Sequence, residues 1–318
     1  MRVLITGATG FVGTHLAEYL SGKNNLELFG LHRAHSKKKC PSNVRLFACN
    51  IRDAKRVPAL LKKIKPERIF HLAAFASAAQ SWKYPAKTFE DNVTGTRVLL
   101  DAIARQCPKA RVHVASSAEV YGFCRGQRER VTENTPFQPM NPYAVSKIAQ
   151  EALAQQYGLS HHLHIVRTRA FNHIGPRQSD TYVTGNFARQ VSAIEAGKSN
   201  PVIRVGNLRA IRDFTDVRDV VRAYWLCLER GTPGDVYNVC SGTGTRVTDI
   251  LDYYLRHSTV KIAVRKSADR YRRIDAAALV GDPRKLKKAT GWKAAFSLSQ
   301  SLQDILCAWR KEYGVFHA

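Results

Sequence analysis

Residues 7–13 read Gly7-Ala8-Thr9-Gly10-Phe11-Val12-Gly13, and this spacing narrows the choice of folds more than any other feature of the chain. The run follows a short apolar segment, Val3–Thr6, and opens a helical period, Gly13–Leu20. A strand that enters a helix through such a turn must bend tightly. Its backbone can then approach a ligand, and the first N–H groups of the helix stay available. That arrangement suits a pyrophosphate. A lone glycine pattern can mark only a turn. Its place between a strand and a helix makes Gly7, Gly10, Phe11, Val12 and Gly13 candidates for dinucleotide binding.

The pattern that follows agrees. Apolar runs at Leu26–Leu31, Val44–Phe47, Arg68–Ala73, Arg111–Ser116 and Leu163–Thr168 read as strands. Between them, Ala54–Ile64, Phe89–Arg105 and Tyr143–Tyr157 read as helices. Near-continuous apolar strands alternating with helices imply a parallel, doubly wound α/β sheet of the Rossmann type. Beyond about Ala170 the pattern is less regular. A strand is expected at Val236–Val239, with helices at Val247–Arg256 and Leu298–Glu312. This predicts a nucleotide-binding domain over 1–170 with returning segments near 213–240. A smaller α/β substrate domain is expected over 171–318.

A chain of 318 residues with 44% hydrophobic content can bury such a core. It has no apolar stretch of ~18 residues, so no membrane span is expected. The start, MRVLITGATG, lacks the features of a signal peptide. Seven cysteines without a CxxC pair read as free thiols in a reducing, cytoplasmic compartment, not as a disulfide frame or zinc site. The formal charge of +25 favours anionic partners such as nucleotide phosphates. The basic residues are spread along the chain, and clusters at Lys37–Lys39, Arg270–Arg273 and Lys285–Lys288 lack interleaved aromatics apart from Tyr271. No specific nucleic-acid site is therefore expected.

The end of the second strand bears on cofactor choice. An acid there would bond a ribose 2′-hydroxyl, whereas an arginine accommodates a 2′-phosphate. The segment is Gly30-Leu31-His32-Arg33, with no acid. Arg33, helped by His32 and Lys37, favours NADP(H), with NAD(H) still open.

Tyr143-Ala144-Val145-Ser146-Lys147 places a phenol and an amine on one helix face. An ammonium beside a phenol favours the phenolate, which makes the tyrosine a usable acid or base. About 25 residues earlier, Val114-Ala115-Ser116-Ser117-Ala118-Glu119-Val120-Tyr121-Gly122 follows a strand. Strand carboxyl ends form the ligand crevice in such sheets, so Ser117 and Tyr143 could share a substrate oxygen.

With these segments, His71-Leu72-Ala73-Ala74, Asn92-Val93-Thr94-Gly95-Thr96, Asn141-Pro142-Tyr143 and Gly291-Trp292, the chain resembles the extended short-chain dehydrogenases/reductases that act on nucleotide sugars. Within them it is most similar to the GDP-4-keto-6-deoxy-D-mannose reductases. That narrower likeness rests on residues 169–176, 205–208, 212–219 and 236–242. The resemblance implies reduction of a C4 ketone of a GDP-4-keto-6-deoxy-hexose. Tyr143 would donate the proton, Lys147 would hold the nicotinamide ribose, and Ser117 would bond the same oxygen. Asn50, Ile51, Leu72, Ala73, Ala74 and Asn92 would line the cofactor, and Ser77, Asn172, Arg212 and Arg272 would bind substrate. A homodimer paired through the helices near Asn92–Arg105 and Tyr143–Tyr157 is implied, with tetramers in some members. Related 4,6-dehydratases and 4-epimerases are the alternative. Glu119 stands where dehydratases keep a base, but Ala118 offers no proton. Three departures stand out: Asn50 where Asp is usual, Arg177 where glycine is common, and Arg273 where proline is common. The two arginines would lie on the substrate side.

Overall fold

The protein is described here from a computed structural model covering residues 1–33, 40–122, 130–270 and 276–315. The chain begins with β1 (Arg2–Thr6), α1 (Phe11–Ser21), β2 (Glu27–His32), β3 (Val44–Ala48), α2 (Arg56–Ile64) and β4 (Arg68–His71). Two short helices, α3 (Ala78–Ser81) and α4 (Pro85–Phe89), lead through a π-helical turn at Glu90–Thr94 into α5 (Gly95–Gln106). Then come β5 (Arg111–Ser117), α6 (Pro142–Ser160), β6 (His164–Ala170), β7 (Asn172–Ile174) and α7 (Val183–Glu195). The rest is β8 (Val202–Val205), β9 (Ile211–Asp216), α8 (Val217–Arg230), β10 (Val236–Val239), β11 (Gly244–Arg246), α9 (Val247–Arg256), β12 (Ala263–Lys266), β13 (Ala278–Leu279), α10 (Arg284–Thr290) and α11 (Leu298–Tyr313).

Seven strands form one parallel sheet in the order β3-β2-β1-β4-β5-β6-β10. Alternation along β1 shows why both faces need helices. Val3 and Ile5 enter a core with Leu16 and Leu20 of α1 and Val220, Val221 and Tyr224 of α8. Leu4 points the other way, into a core with Leu61 of α2, Leu99 and Ile103 of α5, and Ala154 and Tyr157 of α6. Strand order reverses between β1 and β4, and this reversal opens the crevice at the carboxyl ends, where Thr6 and His71 are in register. The sheet is the doubly wound one that the alternating pattern predicts.

The later part is more regular than its composition suggests. β7, β11 and β13 pair with β9, and β12 pairs with β8. A separate apolar core gathers Phe187 and Val191 of α7, Ile250 and Tyr254 of α9, and Leu302 and Leu306 of α11. Helix α8 returns to the main sheet and β10 becomes its edge. No described helix is long and apolar enough to cross a membrane.

Candidate active site

The glycine turn is built as its spacing requires. Gly7 sits at φ +71° and donates to Leu31 O at 2.9 Å, joining the end of β1 to β2. A Cβ on Gly13 would lie 2.2 Å from Gly7 O and 2.9 Å from Ala8, so no side chain fits there. Gly10 caps α1 with no side-chain bond, and the first turn of α1 carries no acid. Phe11, Val12 and Gly13 of that turn line a cleft of about 540 Å³, so no acid of the turn itself competes there for an anion. These residues fit a dinucleotide pyrophosphate.

Of the residues expected to hold a cofactor, Gly7, Gly10, Phe11, Val12, Gly13, Arg33, Asn50, Ile51, Leu72, Ala73, Ala74 and Tyr143 all line this cleft. Asn92 lies behind it, fully buried, and accepts from Phe75 N at 2.7 Å. It organises the loop after β4 and does not face the cleft. Asn50 keeps the place of the usual acid, its Oδ1 accepting from Arg52 N at 3.1 Å. Arg33 is largely exposed, and its Nη2 lies 2.7 Å from Asp91 Oδ2. Lys87 at 3.4 Å and Arg52 at 3.5 Å also approach this buried carboxylate. So the cleft holds an acid beside Arg33 that the β2 segment does not reveal: Asp91 comes from the π-helical turn, a distant part of the chain. Lys37 lies outside the described residues.

The reacting groups meet where β5 ends and α6 begins. Ser117 Oγ accepts from Glu119 N at 3.2 Å, and the Tyr143 phenol is hydrogen-bonded to the Ser117 side chain. Asn141 caps α6, accepting from Ala144 N at 2.8 Å, and Pro142 occupies the first turn. Both features fix the helix start and so the direction of Tyr143. Asn141 Nδ2 also donates to Glu119 Oε2 at 3.0 Å, tying the serine segment to α6. Ser117, Glu119 and Tyr143 line the cleft; Lys147 stands behind Tyr143, with Nζ 5.8 Å from the ring centre. Lys147 Nζ donates to Ala115 O at 2.8 Å and Gln150 Oε1 at 2.7 Å.

The electrostatics correct one expectation. Proximity alone has the amine lowering the phenol pKa, but burial dominates both groups. Loss of water pushes the Tyr143 phenol up, with the Ser117 hydrogen bond opposing only in part. The same loss pushes Lys147 down to about 7, against the attraction of Glu151. Tyr143 is thereby kept as a neutral acid.

At the substrate end, Ser77 and Asn172 line the cleft. Ser77 caps α3, accepting from Gln80 N at 3.2 Å, and still has its own proton to give. Tyr182 Oη donates to Ala76 O at 3.1 Å and bridges the two walls, a contact that nothing in the local sequence signals. Arg212 is buried on β9, donates to Ile211 O at 2.8 Å, and is not part of the cleft wall. Arg272 and Arg273 lie outside the described residues. Arg177 corrects a second expectation. It sits at φ +69° and its guanidinium grips Glu18 at 2.6 and 2.7 Å, lining a different cavity beside α1 and α8. The six described cysteines are free thiols; Cys124 falls outside the described residues.

The GDP-mannose 4,6 dehydratase family model matches residues 4–305. The chain is 32% identical to the GDP-6-deoxy-D-mannose reductase of Pseudomonas aeruginosa, covering 97% of each chain. Its fold matches that of RMD from Pseudomonas aeruginosa complexed with NADPH, with a TM-score of 0.86 at 31% identity over 98% of this chain and 99% of that one. It also matches the UDP-glucose 4-epimerase of Thermus thermophilus in complex with NAD, with a TM-score of 0.87 at 29% identity over 98% and 99% of the two chains. A glycine turn, a serine-ended strand and a tyrosine–lysine helix converge on one cleft in a chain matched end to end by such proteins, which therefore belongs to the GDP-mannose 4,6 dehydratase family of extended short-chain dehydrogenases/reductases.

Proposed function

We propose that the protein reduces the C4 ketone of a GDP-4-keto-6-deoxy-hexose, giving a GDP-6-deoxyhexose of the GDP-rhamnose or GDP-6-deoxy-talose type. NADPH is the favoured donor, and NADH is an alternative one. The observation that carries this reading is the Ser117-Ala118-Glu119 segment beside Tyr143. Reduction needs a single proton at O4, and the neutral Tyr143 phenol bonded to Ser117 provides it. Dehydration would also need a proton for the leaving hydroxyl and a base at C5. Ala118 is buried and apolar, and the Glu119 carboxylate is held by Asn141. Likeness to a reductase over nearly the whole chain and to a structure with NADPH supports the same reading.

NADPH supplies the hydride when bound. Ser117 and Tyr143 hold O4, and Tyr143 releases its proton there. Lys147 holds the ribose, Gly7–Gly13 the pyrophosphate, and Arg33 the 2′-phosphate, where a guanidinium suits a phosphate oxygen. Ile51, Leu72, Ala73, Ala74 and Asn50 form the rest of the cofactor wall, with Asn92 supporting it. Ser77 orients the substrate and Asn172 binds its diphosphate. Arg272 is assigned to the diphosphate, and Arg212 supports that end from behind the cleft wall. Residues 1–170 with 213–240 form the cofactor domain and 171–318 the remainder. The enzyme acts as a cytoplasmic homodimer through α5 and α6; exposed Val145 and Leu159 on α6 support that face.

The test is to offer the protein GDP-4-keto-6-deoxy-mannose with stoichiometric NADPH and, separately, GDP-mannose with trace cofactor. Loss of NADPH absorbance in the first mixture alone is expected. Turnover of GDP-mannose with no net cofactor consumption would instead establish the dehydratase or epimerase alternative.

A further inference from the structure

Lys147 is 4% exposed, so water does little to hold its amine. Gln150, one helical turn on and completely buried, provides one of its two acceptors. The other end of that amide donates to Thr96 Oγ1 at 2.8 Å. Thr96 gives its own proton to Asn92 O at 2.5 Å, which leaves only its lone pairs for Gln150 and for His71 Nε2 at 2.9 Å. His71 therefore carries its proton on Nε2 and accepts on Nδ1 from Thr6 Oγ1 at 2.9 Å. Thr6 Oγ1 in turn accepts from Leu72 N at 3.2 Å and Ala73 N at 3.1 Å.

Each hydroxyl in this chain donates once and accepts twice, so every proton has one place to go. Turning the Gln150 amide over would aim its NH₂ at the amine. Its oxygen would then face Thr96, whose proton is already committed. The chain runs from the amides of Leu72 and Ala73, which line the cleft, to the amine behind Tyr143. A buried network satisfied at every member fixes one geometry.

We propose that Gln150 is a positioning residue: its amide oxygen holds the Lys147 ammonium in reach of the cofactor ribose, and Thr96, His71 and Thr6 keep that oxygen turned toward it. The proposal rests on the reading that Tyr143 and Lys147 serve a bound NADPH. An ammonium has three N–H donors, and Ala115 O and Gln150 Oε1 take two. The third is left for a ribose hydroxyl. The titratable groups around the amine are Tyr143 and Glu151 on its own helix, His71 on β4 and His113 on β5. Glu151 is itself paired with Arg169 at 2.8 Å. Both histidines are held neutral by burial.

The test compares Gln150→Glu, Gln150→Leu and Thr96→Val with the parent protein. Lys147 is titrated by NMR with ¹³Cε-labelled lysine, assigned through Lys147→Arg, alongside the pH profile of NADPH oxidation. A carboxylate at position 150 favours the ammonium, so its midpoint rises about tenfold in proton affinity. Leucine removes an acceptor and Thr96→Val frees the amide to turn, so both lower the midpoint by a similar factor. The upper limb of kcat moves in the same opposite directions, while KM for the keto-sugar stays within twofold. A purely structural role would lower melting temperature and leave every midpoint where it was. Midpoints that stay put, or that all move one way, overturn the proposal. If Gln150→Leu does not fold, Gln150→Glu and Thr96→Val still give the opposed pair. A parent protein that leaves the keto-sugar unreduced contradicts the proposed reaction, and the NMR midpoints still decide the role of Gln150.

Discussion

Burial keeps the proton on Tyr143, and the Ser117 hydroxyl, bonded to the phenol oxygen, eases its release by favouring the phenolate. Removing the phenol oxygen leaves the ring packing and the glycine turn intact. Tyr143→Phe should cost about 10²- to 10⁴-fold in kcat. NADPH affinity, read by fluorescence titration, should change little. Arg33 is a different kind of residue, exposed and tethered to the buried Asp91. Arg33→Ser should weaken NADPH by about tenfold, the worth of one charge-assisted hydrogen bond. NADH should be nearly unaffected, because it lacks the 2′-phosphate. Equal losses for both cofactors would remove Arg33 from the 2′-phosphate role.

Two element boundaries hold the site together, and both lie where the backbone has few alternatives. The β1–α1 turn has no room for a methyl group at position 13. Gly13→Ala must displace the turn, so cofactor affinity should fall by more than about tenfold, with a stability loss of about 1–3 kcal/mol in urea unfolding. At α6, Asn141 both caps the helix and restrains Glu119. Asn141→Ala should cost about 0.5–2 kcal/mol of stability and lower kcat more than it raises KM. These boundaries are readable from sequence because glycine spacing and an Asn-Pro start have local causes. The π-helical turn at Glu90–Thr94 is not readable in that way. It looks like the first turn of the long helix expected from Phe89, and only packing against α6 and the loop after β4 reveals it. Helix α8 differs, because its own signal is local and only its return to the main sheet is not. Its apolar stripe of Val217, Val220, Val221 and Tyr224 keeps helical spacing, with Arg218 and Arg222 off that face and paired with Asp216 and Asp219.

At the scale of the whole molecule, the central sheet buries two histidines that must stay neutral. Burial pushes His71 and His113 from 6.5 down to about 3. The unfolded chain therefore binds protons that the folded one refuses as pH falls below 6.5. Stability is full above that value and is lost progressively toward pH 3. By about pH 5 each histidine should have cost about 2 kcal/mol. Urea unfolding at about pH 7.5 and 5 should show this loss, and His113→Gln should remove one histidine's share of it. A flat profile would mean that the rings are protonated in place. The net charge of +25 acts over longer range, and KM for a nucleotide sugar should rise with salt as the field is screened. The part of the site legible in the sequence is its local chemistry: the glycine turn, Ser117, Tyr143 and Lys147. The hidden part is the set of partners brought from distant segments, such as Asp91 beside Arg33 and Tyr182 across the cleft. In the proposed reaction hydride reaches C4 while Tyr143 gives the proton. The most direct measurement is to supply NADPH deuterated at nicotinamide C4 with GDP-4-keto-6-deoxy-mannose and read the product by NMR. The expected result is one NADPH consumed per sugar and deuterium at C4, with the H4 signal lost. A product that keeps H4, or turnover with no NADPH consumed, would contradict it.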